Sequence, residues 1–189
     1  MTRGSRSGAQ VHRPREEVAS RYAGYVLQSQ GTTIADLYAS QMALEPYVVR
    51  TLCRMKNNAD AVRTLNEHVE YLSSLVETAK IDEFTRGVAE FHMLLVKLTG
   101  NNTLTFVSHL LNDLMVNHKA GVMRRDVVEG DVRKKRLLGA MKSYHKLIKL
   151  IEAHEEEAAV AHWRLHLKNA HARWAGPGEG DRIVDSLNV

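Results

Sequence analysis

Histidines are the residues of this sequence whose types and spacing best fit binding chemistry, and four of the ten stand out. His92 interrupts VAEFHMLLVKLTGN, residues 88–101, where apolar residues otherwise recur at helical spacing. His162 and His166 are four residues apart, so on a helix their side chains project from one face. His145 lies near the inner face of the preceding helical segment. Imidazole nitrogens from several packed helices can together bind zinc, nickel or iron.

A second interpretation gives the same histidines a purely structural role. A buried imidazole is stable wherever a neighbouring group forms a hydrogen bond with it. Recognised catalytic motifs are missing: the sequence has no ExxH pair of a di-iron bundle, no HExxH, no GxGxxG, no P-loop and no GxSxG. We therefore expect a binding protein and not an enzyme.

The elements that must position these histidines are helices. Helical periodicity dominates from about residue 15, and no segment alternates with the two-residue period of a strand. Thr33 followed by Asp36 matches a capping box that starts a helix. Residues 120–130 are expected to form a less regular connection. The pattern predicts an all-α, antiparallel helical bundle of about six to seven helices with a short irregular N-terminal arm.

Composition narrows the class of protein further. The chain of 189 residues is 44% hydrophobic and 25% charged, which suits one domain with a real core. It contains no run of about 18 apolar residues and no apolar signal segment, so we expect a soluble cytoplasmic protein without a membrane partner. The single Cys53 excludes an intramolecular disulfide and a CxxC zinc site.

Basic residues cluster at two places in a chain of net charge +4. Arg3, Arg6 and Arg13 near the N-terminus could contact nucleic-acid phosphates. The second cluster, within residues 124–136, is expected to be the solvated start of a helix.

Three segments resemble, in order and spacing, the FCD effector domain of the FadR-like GntR transcription regulators. Residues 91–101 carry the FH…L…TGN signature, residues 44–46 match the LEP motif, and residues 145–167 resemble the closing pair of helices. The resemblance spans roughly residues 34–170. It implies a helical bundle that binds an effector, dimerises and modulates DNA binding.

The N-terminal stretch GSRSGAQVHRP is similar to the end of the winged-helix domain that precedes FCD in this family. On this interpretation residues 1–14 are a remnant of the wing and linker, residues 15–172 form the effector-binding bundle, and residues 173–189 are a flexible tail. Without a recognition helix, we expect DNA binding only if a complete winged-helix domain is supplied.

The resemblance also implies a divalent metal in many members. Its ligands would be an aspartate one turn before His92, His92 itself, and two histidines of the closing helices. His166 matches one of these, whereas Val88 and Tyr144 stand at the aspartate position and at the remaining histidine position. Valine cannot bind a metal, and a missing carboxylate removes the charge that offsets the cation. The candidates for a third ligand are His162 and His145.

The space between the helices where the resemblance places the metal can also hold an effector without metal. Gln41 stands where the family often has an arginine, three residues before the LEP leucine. Imidazoles and a phenol suit a carboxylate, so we expect a small organic acid or acyl compound as effector and a homodimer as the assembly. Two alternatives stay open: a metal-dependent helical enzyme and an interaction bundle without a ligand. The expected pocket residues are Gln41, Val88, His92, Tyr144, His145, His162 and His166.

Overall fold

The computed structural model describes residues 15–78, 80–125, 130–175 and 178–185, and these contain seven α-helices and one isolated β-bridge. The predicted all-α bundle is confirmed. No described helix is long and apolar enough to cross a membrane. The helices are α1 (Glu16–Ser29), α2 (Ile34–Arg54), α3 (Ala59–Glu77), α4 (Ile81–Lys97), α5 (Asn102–Arg125), α6 (Gly130–Glu152) and α7 (Glu156–Trp174).

The core is built from apolar residues spaced three and four apart on each helix. Helix α2 occupies the centre, where it contacts α4, α5, α6 and α7. Helices α3 and α4 approach closely at Gly87, since a Cβ there would lie 2.6 Å from Leu72 Cδ2. The α3 seam is buried over its whole length, through Val62, Leu65, Val69, Leu72 and Val76.

Helix α2 begins at the capping box that its sequence predicts. The Asp36 amide donates to Thr33 Oγ1 at 3.2 Å, and the Thr33 amide donates to Asp36 Oδ2 at 2.9 Å. Each side chain thus satisfies an amide that the first helical turn leaves without a partner.

Two features distinguish the second half of α2. Pro46 lies inside the helix, and because proline has no N–H the ladder lacks one hydrogen bond to the preceding turn. Further on, Arg50 Nε and Arg54 Nε donate to the Glu156 carboxylate at 2.8 and 2.6 Å. The C-terminal end of α2 is therefore tied to the start of α7.

The connection predicted for residues 120–130 is wrong for its first half, because α5 continues to Arg125. Gly121 is the only residue of residues 120–125 with a poor helix propensity, and one glycine costs a helix only about 1 kcal/mol. The alanine, methionine and arginines around it favour the helix.

The C-terminal tail also differs from the prediction of a flexible segment over residues 173–189. Residues 178–185 lie against the N-terminus of α2, where the Ile34 amide donates to the Arg182 carbonyl at 2.9 Å. Val184 is only 1% exposed and joins a small apolar cluster with Ile34. Contacts with a distant helix, which local sequence does not reveal, hold this part of the tail in place.

The N-terminal arm falls outside the described residues. This applies to the predicted remnant, residues 1–14, and to its candidate nucleic-acid contacts Arg3, Arg6 and Arg13.

Candidate functional site

A buried carboxylate lies at the centre of the bundle. Glu45 of α2 is 4% exposed, and each of its oxygens is hydrogen-bonded. Trp163 Nε1 donates to Oε2 at 2.8 Å, and Gln41 Nε2 donates to Oε1 at 2.6 Å. His92 Nδ1 lies 2.8 and 2.9 Å from the two oxygens. Three elements, α2, α4 and α7, thus converge on one acidic group.

These contacts fix where the protons lie. A carboxylate only accepts hydrogen bonds, so His92 Nδ1 carries the donated proton. The 3.3 Å contact between Gln41 Nε2 and His92 Nδ1 then joins two donors and is not a hydrogen bond. Burial would raise the pKa of Glu45, but the charge of His92 and the bonds from His92, Gln41 and Trp163 outweigh it and lower that pKa. The centre is therefore a buried carboxylate that accepts hydrogen bonds from three side chains.

Aromatic and imidazole rings enclose Glu45 and His92. Phe91 stacks on Tyr144 with centroids 4.2 Å apart, and Trp163 stacks on His166 at 4.5 Å. His92 lies edge-on to Tyr144 at 6.3 Å. Burial raises the pKa of the Tyr144 phenol, which therefore keeps its proton. Packed rings, rather than a wide hollow, occupy the space around His92.

A hydrogen-bonded chain links α6 and α7 beside the rings. His162 Nε2 lies 2.9 Å from the Ser143 carbonyl, so this nitrogen is the donor. Ser143 Oγ lies 3.1 Å from the same nitrogen and 3.0 Å from His166 Nδ1. The hydroxyl can accept from His162 and donate to His166, which leaves His166 as a neutral imidazole.

Two of the cavities among the described residues are lined by side chains of the site. One of about 20 Å³, room for about one water, lies between α2, α4 and α5 and is lined by Gln41, Glu45, His92 and Met115. The other, of about 250 Å³, lies between α6 and α7, and its polar lining includes Arg136, Ser143, His162, His166 and Arg173.

The comparisons with known proteins decide the family. The model of the FCD domain matches residues 36–169, which extend from the first turn of α2 into the last turns of α7. The chain belongs to the FCD domain family. FCD domains are the C-terminal effector domains of GntR-family regulators. No curated protein and no solved structure gives a significant match to the chain.

This FCD domain brings together most of the predicted site residues. Gln41 contacts His92, and the rings of His92, Tyr144 and His166 lie within 6.4 Å of one another. His162 reaches the group only through Ser143.

Two predicted site residues lie elsewhere. Val88 is half-buried and packs against the main core. His145 Nε2 lies 3.2 Å from Glu70 of α3, and His145 Nδ1 lies 3.0 Å from the Met141 carbonyl. Neither residue lines the two cavities beside the site.

The donors around His92 do not fit the metal that the family resemblance implies. Within the described part of the chain, no group of three His, Cys, Asp or Glu side chains could hold a metal ion. His92 Nδ1 donates to Glu45, which leaves only Nε2 of this ring for a metal, and the centroids of the His92 and His166 rings are 6.4 Å apart. Zinc in proteins takes at least three such ligands around a common point.

Sequence reasoning missed the central role of Glu45 and also missed Trp163 and Lys119. Glu45 had a signal, because it follows Gln41 by four residues on the same face of α2 and sits in the LEP motif. Lys119 of α5 is 3% exposed, an unusual environment for an ammonium group.

Acid is expected to destabilise this FCD domain through His166. Burial, followed by the nearby charge of His92, lowers the pKa of His166 from 6.5 to about 3. Between these values the unfolded chain binds a proton that the folded chain does not, so the free energy of unfolding falls as pH falls from 6.5. We expect His166→Gln to flatten this slope, measured by urea unfolding at several pH values between about 4.5 and 6.5.

His145→Gln is the matched control, since it removes an imidazole from α6 that is paired with the exposed Glu70. The slope of this variant is the reference with which the slope of the His166 variant is compared. An unaltered slope in the His166 variant would contradict the assignment of this titration to His166.

Proposed function

We propose that this chain is the ligand-sensing and dimerising domain of a GntR-type transcription regulator of the FadR-like branch, and that its effector is a small organic acid or acyl compound. The observation that carries the proposal is the FCD match over residues 36–169, which encloses the polar centre at Glu45 and His92. Such a domain senses and does not catalyse. It would act on DNA through a winged-helix domain.

The small size of the cavity couples effector binding to a movement of the helices. A pocket for a drug-sized ligand commonly measures about 300–1,000 Å³, whereas the cavity beside Gln41 and Met115 measures about 20 Å³. A larger effector must separate α2 from α5 to enter. It would therefore bind the opened arrangement in preference to the closed one, and this difference in affinity is what shifts a conformational equilibrium. Two domains of a dimer would then change the spacing of their DNA-binding partners.

Sensing in this chain is proposed to work without a resident metal. Val88 and Tyr144 stand at two of the four expected ligand positions, and the described residues contain no group of three His, Cys, Asp or Glu side chains that could hold a metal ion. Metal analysis of the purified protein tests this directly. One zinc, nickel or iron per chain, with a fall in melting temperature on adding a chelator, would contradict it.

A thermal-shift panel tests the sensor proposal. A ligand at 100 times its dissociation constant adds about 2.7 kcal/mol of stability, so a panel of small carboxylic acids and acyl compounds should contain at least one that raises the melting temperature clearly. Ser108 lines the small cavity, and we expect Ser108→Leu to abolish that rise. The exposed Ser74 provides the matched control Ser74→Leu.

The alternatives give different results in the same assay. A bundle that only mediates interactions shows no rise with any compound, and an enzyme consumes the compound that binds. Sedimentation analysis of the same sample tests the dimer. A monomer across the micromolar range would count against the dimerising role.

A further inference from the structure

Lys119 has no anionic partner in direct contact within the part of the chain that the structure describes. The residue lies on α5 and is 3% exposed, and its Nζ sits 5.7 Å from the centroid of the Tyr38 ring. Among the described residues, none forms a hydrogen bond or an ion pair with this ammonium group. A cation over an aromatic face gains some stabilisation, but a buried charge normally also has a hydrogen-bonded counter-ion.

Tyr38 provides a second polar group without a partner. Its ring is 2% exposed, stacks on His171 at 5.1 Å and faces His118 at 6.5 Å. Its hydroxyl has no hydrogen-bond partner among the described residues. Burial raises the pKa of this phenol, so the group stays protonated and can donate. A buried donor without an acceptor is uncommon in native proteins.

Glu45 cannot serve as the missing acceptor. Its oxygens are engaged by His92, Gln41 and Trp163, and it acts on Lys119 only through space. Burial lowers the pKa of Lys119 to about 8, and the charge of Glu45 opposes that shift. The ammonium group is thus largely charged at neutral pH, and among the described residues both it and the hydroxyl of the tyrosine ring that it faces are unpaired.

Both groups lie on helices that border the small cavity, although neither lines it. Tyr38 precedes Gln41 by three residues on α2, and Lys119 follows Met115 by four residues on α5. Gln41 and Met115 line the cavity, so Tyr38 and Lys119 lie one helical turn further along the same two helices.

We propose that Lys119 and Tyr38 form an anion subsite that binds the carboxylate of the effector. The ammonium of Lys119 pairs with the carboxylate, and the Tyr38 hydroxyl donates a hydrogen bond to it. The Glu45 carboxylate lines the small cavity and disfavours a second carboxylate there, so the uncharged part of the ligand faces Gln41 and Met115. This subsite supplies a positive charge that the neutral Gln41, at the family's arginine position, does not supply. The proposal rests on the effector-binding function proposed above.

The test measures the affinity of the full chain for straight-chain monocarboxylates from acetate to hexanoate by calorimetry, with the corresponding amides as uncharged probes. We expect carboxylates to bind and amides to bind at least tenfold more weakly. Lys119→Met removes the charge but keeps the length of the side chain, and it should weaken carboxylate binding tenfold or more. Tyr38→Phe removes only the hydroxyl and should weaken it severalfold.

Exposed residues of the same type provide the controls. Lys142→Met and Tyr47→Phe should leave carboxylate affinity unchanged. Without ligand, both subsite variants should melt no lower than the native protein, because each loses a polar group that burial leaves unpaired. The melting temperature thus shows whether each variant is folded, so that a loss of affinity can be assigned to the subsite.

The possible results separate the subsite from the function. Native affinity in both subsite variants would overturn the subsite and leave the sensor role standing. Equal binding of carboxylates and amides would do the same. No binding of any carboxylate or amide by the native chain would overturn the subsite and also count against the sensor role. A lower melting temperature in both variants with unchanged affinity would assign Lys119 and Tyr38 to packing alone.

Discussion

Glu45→Ala is expected to lower the free energy of unfolding by about 3–5 kcal/mol, because each buried donor that loses its acceptor costs about 1–3 kcal/mol. The substitution leaves the N–H groups of His92, Trp163 and Gln41 buried without their acceptor. Urea denaturation monitored by circular dichroism measures the loss.

Two further measurements check that the loss comes from the buried pair. Glu157→Ala removes a carboxylate whose side chain is 85% exposed and should cost less than about 1 kcal/mol. Since the pKa of Glu45 is lowered from its ordinary 4.5, its stabilisation is fully present above that value and is lost as pH falls through the folded pKa. The difference between native and variant proteins should therefore shrink in acid. A loss below about 1 kcal/mol at neutral pH would refute this account of the centre.

Trp163→Ala is expected to have an effect of similar size, about 3–5 kcal/mol, because the indole is 0% exposed and its removal leaves a large void. The ring stacks on His166, tilts against Phe91 at 6.2 Å and donates to Glu45. Trp163→Phe keeps most of the ring and should cost about 1–3 kcal/mol through the lost N–H donor and the smaller volume. The same urea titration measures both.

Leu165 provides the control on the same helix. It is 57% exposed, so Leu165→Ala should change the unfolding free energy by less than about 0.5 kcal/mol. The Glu45→Ala, Trp163→Phe double variant should lose less than the sum of the singles, since both remove one shared hydrogen bond. Strict additivity would mean that the Trp163–Glu45 bond contributes little.

Much of the fold follows from local sequence because local physics decides it. The α3 seam is read directly from apolar spacing, and the start of α2 from the chemistry of Thr33 and Asp36. The end of α5 differs from the prediction because the residues around Gly121 favour a helix by more than one glycine disfavours it. Local rules thus locate helices well and their ends less well.

The centre of the site was less predictable, because its partners are distant in sequence. His92 was correctly placed inside, but its partner Glu45 lies 47 residues away and Trp163 lies 118 residues from Glu45. Spacing alone tells which face of a helix a residue occupies and not which residue it meets. For the same reason the sequence revealed neither the buried Lys119 nor the contact of Val184 with the start of α2.

Pro46 determines which part of α2 can move. Beyond it, Arg50 and Arg54 anchor the helix to Glu156, whereas the preceding half carries Glu45 and receives the C-terminal segment. The missing hydrogen bond makes the helix easiest to bend at this position. A guest wedged against α5 would therefore swing the first half of α2 about a pivot while the second half stays fixed. Four residues separate α1 from α2, so this movement of α2 would also displace α1. Through α1 it would reach the part of the chain that leads towards any preceding domain.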